Sequence, residues 1–301
     1  MKVGVHLGYQ NLRGESDMEF FRRETQLMVE AEAMGFDFAA CVEHHFTDYA
    51  ACPDPVQALS YVAAKTKTIK LMPAAIILPW NDPMRVVEAD GKWFQIPETE
   101  IRPRPEGWSR DRAVMVSMSP SSAEVAADYG LKALRFSQGD WSKALPEINN
   151  YRDTFKAKHG KAAPPFVISD FMVCFDDKDK VTEYTDKYFA AQFLQVANHY
   201  EFMSDHFKSL PSYATYAYMG EAAEARGGAH NAYKDYIGGN LIGTPEELYE
   251  KHLQRKAMVG DYEIIANFSF GGMPYEDVYE QMKTFADKVM PKLKEEEPVM
   301  A

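Results

Sequence analysis

Residues 35–79 read GFDFAACVEHHFTDYAACPDPVQALSYVAAKTKTIKLMPAAIILP. The apolar run over 36–42 ends abruptly in the polar triplet Glu43-His44-His45, and a second, nearly continuous run occupies 69–78. Between them 55–65 reads as a helix opened by Pro55. Two strands that are apolar throughout, rather than alternating, and that are joined by a helix describe a parallel sheet covered on both faces.

The same rhythm extends outward from this unit. Upstream, Val3, Val5 and Leu7 mark a short strand, and 18–34 places Phe21, Met28, Ala31 and Ala33 in a helical pattern ended by Gly35. Downstream, 83–88 starts a helix that stops at Asp90-Gly91, and 91–105 reads as an extended excursion. Strands are then expected at 113–116, 131–136, 166–175 and 264–270, and helices at 121–129, 145–159, 179–207, 245–258 and 275–293. That makes seven strands able to run parallel, where a closed (β/α)8 barrel takes eight.

The composition of the 301 residues is compatible with one large barrel or with two domains, at 46% hydrophobic, 13% aromatic and 26% charged. So apolar a chain is neither a disordered polymer nor a small stapled scaffold. A net charge of -12 opposes nucleic acid and anionic membrane surfaces, so any phosphate must be held locally. The three cysteines, Cys41, Cys52 and Cys174, contain no CxxC pair, which argues against a disulfide framework or a structural metal site and fits a reducing cytoplasm. No secretory leader is legible at 2–9, and no run of about 18 apolar residues spans a membrane.

Three segments carry candidate chemistry. In a barrel the active site lies at the C-terminal strand ends, so Glu43-His44-His45 falls where a substrate would lie. Alternation sends His44 to the side of Phe38, Ala40 and Val42, and Glu43 with His45 to the other. A histidine near its ordinary pKa of about 6.5, tuned by a carboxylate, would act as acid or base. A hydrogen-bonded pair tying the strand to its loop accounts equally well for the motif. Ala74-Ala75 would let a flat ring approach the backbone, or would only relieve crowding. Ser117 to Ser122, with Pro120, is a helix start, and Ser121 with Glu124 has capping-box spacing; its amides and hydroxyls would hold an anion or serve as an ordinary cap. Thr244-Pro245 is a second helix start, and Gly271-Gly272 a tight loop where backbone could meet a ligand. The aromatics over 184–218 have the spacing of core packing. No Rossmann or P-loop motif is present.

Taken together, KVGVHLGYQ (2–10), GFD (35–37), EHHFTDY (43–49), AAIILP (74–79), SAEVAADYGL (122–131), GTPEEL (243–248) and MKTFADKVMPKL (282–293) resemble the bacterial luciferase-like flavin monooxygenases. The combination of EHHF with AAIILP in this order is the specific part. The resemblance implies a single TIM (β/α)8-type barrel over residues 1–301, in the α/β class. It implies reduced FMN supplied by a separate NAD(P)H:flavin reductase, and O2 adding to give a C4a-hydroperoxyflavin that oxygenates a small, largely apolar organic substrate. A cytoplasmic homodimer is implied as well.

By position, His44 is similar to the family's catalytic histidine. Ala74 and Ala75 resemble the pair beside the isoalloxazine, often joined by a cis bond. Ser119 and Ser122, with Ser121 in the same turn, resemble the phosphate contacts, and Glu43 and His45 are assigned to the substrate. Where the family ordinarily has a fourth strand and helix with phosphate-binding arginines, this sequence passes directly from Glu88 to Gly91, so one βα unit is missing near 88–91. Met118 also stands where luciferase has an acidic residue. The alternatives this leaves are a non-catalytic flavin-binding protein and a deazaflavin-dependent oxidoreductase of the same superfamily.

Overall fold

The computed structural model describes residues 1–77, 113–201 and 237–296, together with 221, 224, 225, 227, 233 and 234. The expectation of a missing unit near 88–91 lies outside the described residues, as do the ends of the third expected strand and of the 179–207 helix. In chain order the elements begin β1 (Val3–Leu7), α1 (Asp17–Ala33), β2 (Phe38–Cys41), α2 (Pro55–Ala63), β3 (Lys70–Pro73) and β4 (Val114–Val116). They continue α3 (Pro120–Asp128), β5 (Lys132–Phe136), α4 (Leu145–His159), β6 (Phe166–Phe171), β7 (Val173–Cys174) and α5 (Lys178–Tyr184). Then come α6 (Ala190–His199), β8 (Ile242–Gly243), α7 (Pro245–Val259), β9 (Tyr262–Ser269), α8 (Tyr275–Lys288) and α9 (Met290–Glu295).

Seven strands form one curled sheet in the order β3-β2-β1-β9-β6-β5-β4. Every pair in it is parallel. The last long strand, β9, lies between β1 and β6, so the sheet has curled until its end meets its beginning. Among the described residues it stays open between β3 and β4. This is a mixed α/β fold of the barrel type, with seven parallel strands of its curled sheet among the described residues.

Two sequence expectations change in detail. The strand expected at 166–175 breaks at Met172, whose amide donates to the Asn267 carbonyl at 2.8 Å, and β7 leaves the barrel to pair with β8. The helix expected from 179 is divided by a π-helical turn, Thr185–Phe189, between α5 and α6.

The sheet's inner face explains where space is left. Gly4, Phe38, Leu134, Val167 and Ile265 share the inward parity of their strands, and the last four form a buried apolar cluster. A Cβ on Gly4 would lie 2.2 Å from the Phe38 ring, so only glycine lets that ring lie across the barrel bottom. Two residues further along the same faces stand His6, Phe136, Ser169 and Asn267, which line a cavity instead of filling it. The larger core lies outside, between sheet and helices, and includes Phe20, Tyr151, Phe268 and Phe285.

Polar ties hold the helices onto this sheet. Asp170, fully buried on the outer face of β6, receives both guanidinium nitrogens of Arg255 from α7 at 2.7 and 2.8 Å, and the Ser137 hydroxyl at 2.6 Å. On α1, the Glu32 carboxylate accepts from the amides of Lys67, Thr68 and Ile69 at 2.8, 2.5 and 2.9 Å, closing the turn that leads into β3. These amide bonds, Thr68 foremost, hold its pKa down at about 2 from an ordinary 4.5. Its contribution is therefore complete above the unfolded pKa and disappears as pH falls through about 2. Glu32→Gln is expected to lower the denaturant midpoint at neutral pH, with the gap from wild type closing in that acidic window. A gap independent of pH would refute the assignment.

Candidate active site

At the C-terminal ends of the strands lies a cavity of about 550 Å³. Most of its wall continues the inward parity of the barrel: Gly8 beyond His6, Val42 and His44 beyond Phe38, Ala74 beyond Met72, Met118 beyond Val116, and Ser269 beyond Asn267. The expectation that His44 shares the side of Phe38 thus agrees with its place. The expectation that Glu43 faces away does not: β2 ends at Cys41, alternation ceases with the ladder, and Glu43 reaches the cavity as well.

Glu43 is the structural hinge of the motif. Its buried carboxylate meets His45 Nε2 at 3.0 Å through Oε1 and accepts from the Ile77 amide at 2.7 Å through Oε2. Its own amide donates to the Ala75 carbonyl at 3.1 Å, and the Ala74 amide donates to Cys41 at 2.7 Å. The end of β2 and the chain after β3 are stitched together in this way, and the Ala74–Ala75 peptide between them is cis. The Glu43–His45 pair supplies the strand-to-loop tie, and His45 is not among the residues lining the cavity.

His44 has different surroundings. Its ring meets those of His199 and Tyr49 edge-on at 4.8 and 5.2 Å between centroids, with Tyr200 at 6.3 Å. Burial, then the neighbouring His199 and His45, push its pKa down to about 4. The expectation of a histidine titrating near its ordinary value is corrected here: desolvation keeps His44 neutral, and the Glu43 charge, bound to His45 and the Ile77 amide, offsets only part of that shift.

The serine turn opens α3. Ser119 is its N-cap, accepting from the Ser122 amide at 3.3 Å, while the Ser119 amide donates to the Ser122 hydroxyl at 3.1 Å. The capping box is therefore Ser119 with Ser122 rather than Ser121 with Glu124, because Pro120 takes the first helical position, where a missing N–H costs nothing. Ser119 and Ser122 line the cavity; Ser121, exposed, touches it only through a 3.1 Å contact with the Ser119 hydroxyl.

Other expectations resolve simply. Gly271 packs against protein: its amide donates to Gln10 at 2.9 Å, and a Cβ there would lie 2.2 Å from the Tyr188 carbonyl oxygen. Tyr188, Phe189 and Phe193 are core, whereas Tyr200 lines the cavity; the aromatics beyond residue 201 that belong to the same expected cluster are outside the described residues. All three cysteines are free and buried. No described helix is long and apolar enough to cross a membrane.

His6 and Asn267 escaped the motif reading although both face the cavity. The signal was available: each is a polar residue at an inward position of its strand, His6 between Gly4 and Gly8, Asn267 between Ile265 and Ser269.

A family model described as luciferase-like monooxygenase matches residues 1–89 and 84–262. The alpha chain of alkanal monooxygenase from Photorhabdus laumondii is 36% identical over 73 residues, 24% of this chain and 20% of that relative's length. Among solved structures, monooxygenase RslO1 from Streptomyces bottropensis is 20% identical, with a TM-score of 0.71 over 97% of this chain and 100% of that one. The oxygenating constituent of 3,6-diketocamphane monooxygenase from Pseudomonas putida, solved in complex with FMN, is 14% identical, with a TM-score of 0.67 over 97% and 98% of the two chains. At these identities the structural likeness is one of fold.

Proposed function

Since the chain belongs to the luciferase-like monooxygenase family, we propose that it takes reduced FMN from a separate NAD(P)H:flavin reductase and, with O2, oxygenates a small, largely apolar organic molecule. The observation that carries this reading is the meeting, in one cavity, of the Ala74–Ala75 edge with the serine-capped start of α3. Two methyl side chains leave room for a flat ring against the backbone. A helix start rich in hydroxyls attracts a phosphate in a chain whose net charge of -12 otherwise repels one. The volume of about 550 Å³ lies within the usual range of ligand cavities.

Reduced flavin, when bound, supplies the electrons that let O2 deliver one atom to the substrate and the other to water. The chain's own residues do the rest. Ser119 and Ser122 would hold the phosphate, and Ala74 and Ala75 would flank the ring. Glu43 keeps that edge in place through the Ile77 amide and its own bond to Ala75. Tyr49 and Tyr200 exclude water beside His44, whose neutral imidazole takes or returns a proton on the cavity side.

Titration of the full chain with FMN, riboflavin and a deazaflavin tests the cofactor; product formation with reductase, NAD(P)H and O2 tests turnover. FMN binding without product would favour a non-catalytic flavoprotein, and preference for the deazaflavin would overturn FMN. A sharper result is expected from Ser119→Asp. Aspartate caps a helix about as well as serine, but two like charges about 4 Å apart near a protein surface repel by about 4 kcal/mol, so FMN should weaken roughly a hundredfold or more with riboflavin little changed. Equal losses for both ligands would place the phosphate elsewhere.

A further inference from the structure

The structure assigns His6 and Asn267 as a polar recognition pair at the floor of the cavity, selecting a substrate that carries a hydroxyl group on an apolar frame. The inference deepens the proposed function, because it rests on the cavity being the substrate site.

The pair comes from opposite ends of the chain. Asn267 Nδ2 lies 3.3 Å from His6 Nδ1, and both residues line the cavity. The register of β1 against β9 slips between Val5 and Leu7, so that Asn267 and Phe268 together oppose the single residue His6. Bulges of this kind re-aim side chains beside active sites. Asn267 is 7% exposed, and its Oδ1 is buried with no hydrogen-bond partner. Buried amide oxygens are seldom left unpaired, and such an orphan calls for an explanation. His6 is neutral at ordinary pH, since burial and then His44 push its pKa down to about 4.

A count of donors and acceptors identifies the partner. When the Asn267 amide donates to His6 Nδ1, the imidazole proton is on Nε2 as a donor and Oδ1 remains as an acceptor. When the amide is turned and accepts from Nδ1–H, Nε2 remains as an acceptor and the amide nitrogen as a donor. Either way the pair is left with one donor and one acceptor. A hydroxyl, which gives one hydrogen bond and receives another, has the complementary pair of functions; an ether or ketone only receives, and a hydrocarbon does neither. Phe136, Phe171 and Val116 supply apolar wall to the same cavity. They suit the apolar frame of such a molecule.

The test uses the full-length chain and three probes of one shape: 2-naphthol, 2-methoxynaphthalene and naphthalene. An apolar cavity without the pair would prefer naphthalene, because the hydroxyl must be desolvated. With the pair, 2-naphthol is expected to bind about tenfold tighter than either of the others, the gain of satisfying two buried groups. His6→Phe and, independently, Asn267→Ala should each reverse that preference while leaving the FMN titration within about twofold of wild type, since phosphate and ring contacts lie elsewhere. Absence of 2-naphthol preference in the wild-type chain overturns the inference, even if neither variant folds. So does a loss of FMN affinity in both variants with the probe preference intact, which would give the pair to the cofactor. Failure of the wild-type chain to bind FMN would instead count against the proposed function, while the probe series still reads the pair.

Discussion

His44→Ala is expected to lower product formation by about a hundredfold to ten-thousandfold, the range typical of a positioned proton-transfer group, while FMN affinity stays close to wild type. The asymmetry follows from geometry. His44 stands on the cavity wall among His199, Tyr49 and Tyr200, whereas the proposed phosphate contacts belong to α3 and the ring contacts to the Ala74–Ala75 edge. His45→Ala should cost less turnover, because that ring is not among the residues lining the cavity and meets the Glu43 carboxylate.

The pH dependence gives an independent readout. With its folded pKa near 4 against an ordinary 6.5, His44 keeps its lone pair throughout the neutral range, so the rate should show no inflection near 6.5. The linkage runs the same way for His6 and His44. The unfolded chain binds their protons first, so their burial costs no stability above about 6.5 and increasingly destabilises the fold as pH falls toward about 4. Near-normal turnover in His44→Ala, or a rate inflection near 6.5 that disappears in it, would show the neutral-imidazole role to be wrong.

Arg255→Met should be the most damaging single change to stability. Asp170 is fully buried, and Arg255 supplies its only charged partner among the described residues through two hydrogen bonds of 2.7 and 2.8 Å. Removing one member of a buried ion pair leaves an uncompensated charge and costs about 3–5 kcal/mol, whereas replacing both by apolar residues is often close to neutral. The double variant Asp170→Leu with Arg255→Met should therefore recover much of the loss in denaturant unfolding. Recovery will be incomplete, since the Ser137 hydroxyl and the Leu241 amide also lose their acceptor. A single variant within about 1 kcal/mol of wild type would mean that water already reaches the pair. Asp170 sits between Ser169 and Phe171, both on the cavity wall, so the same variant should also weaken probe binding.

Much of the site was legible because it is written in local patterns. The Gly-Phe-Asp turn, the apolar strand before Glu43 and the Ser119-Pro120 helix start each depend on residues a few positions apart, and each appears close to where the spacing placed it. His44 could be assigned to the inner face because alternation from Phe38 is local too. The sequence reading failed where the ladder stops. Nothing in EHHF says that pairing ends at Cys41, and only that ending lets Glu43 turn back to the Ile77 amide. The capping box, though not the Ser119-Pro120 start, was misplaced by two residues because two overlapping pairs have the same spacing, and Pro120 decided between them.

The succession of strands and helices along the chain, the Ser119-Pro120 helix start and the inward side of His44 were thus determined by the sequence alone, since the forces behind them act over one or two turns of chain. Tertiary structure decided the curl that brings β9 against β1 and the histidine pKa values that follow from burial. It also decided the contact of His6 with Asn267, 261 residues apart. Contacts at that separation arise only when the whole sheet closes on itself. Desolvation likewise depends on every element packed around a group, so neither leaves a mark in any short stretch of sequence.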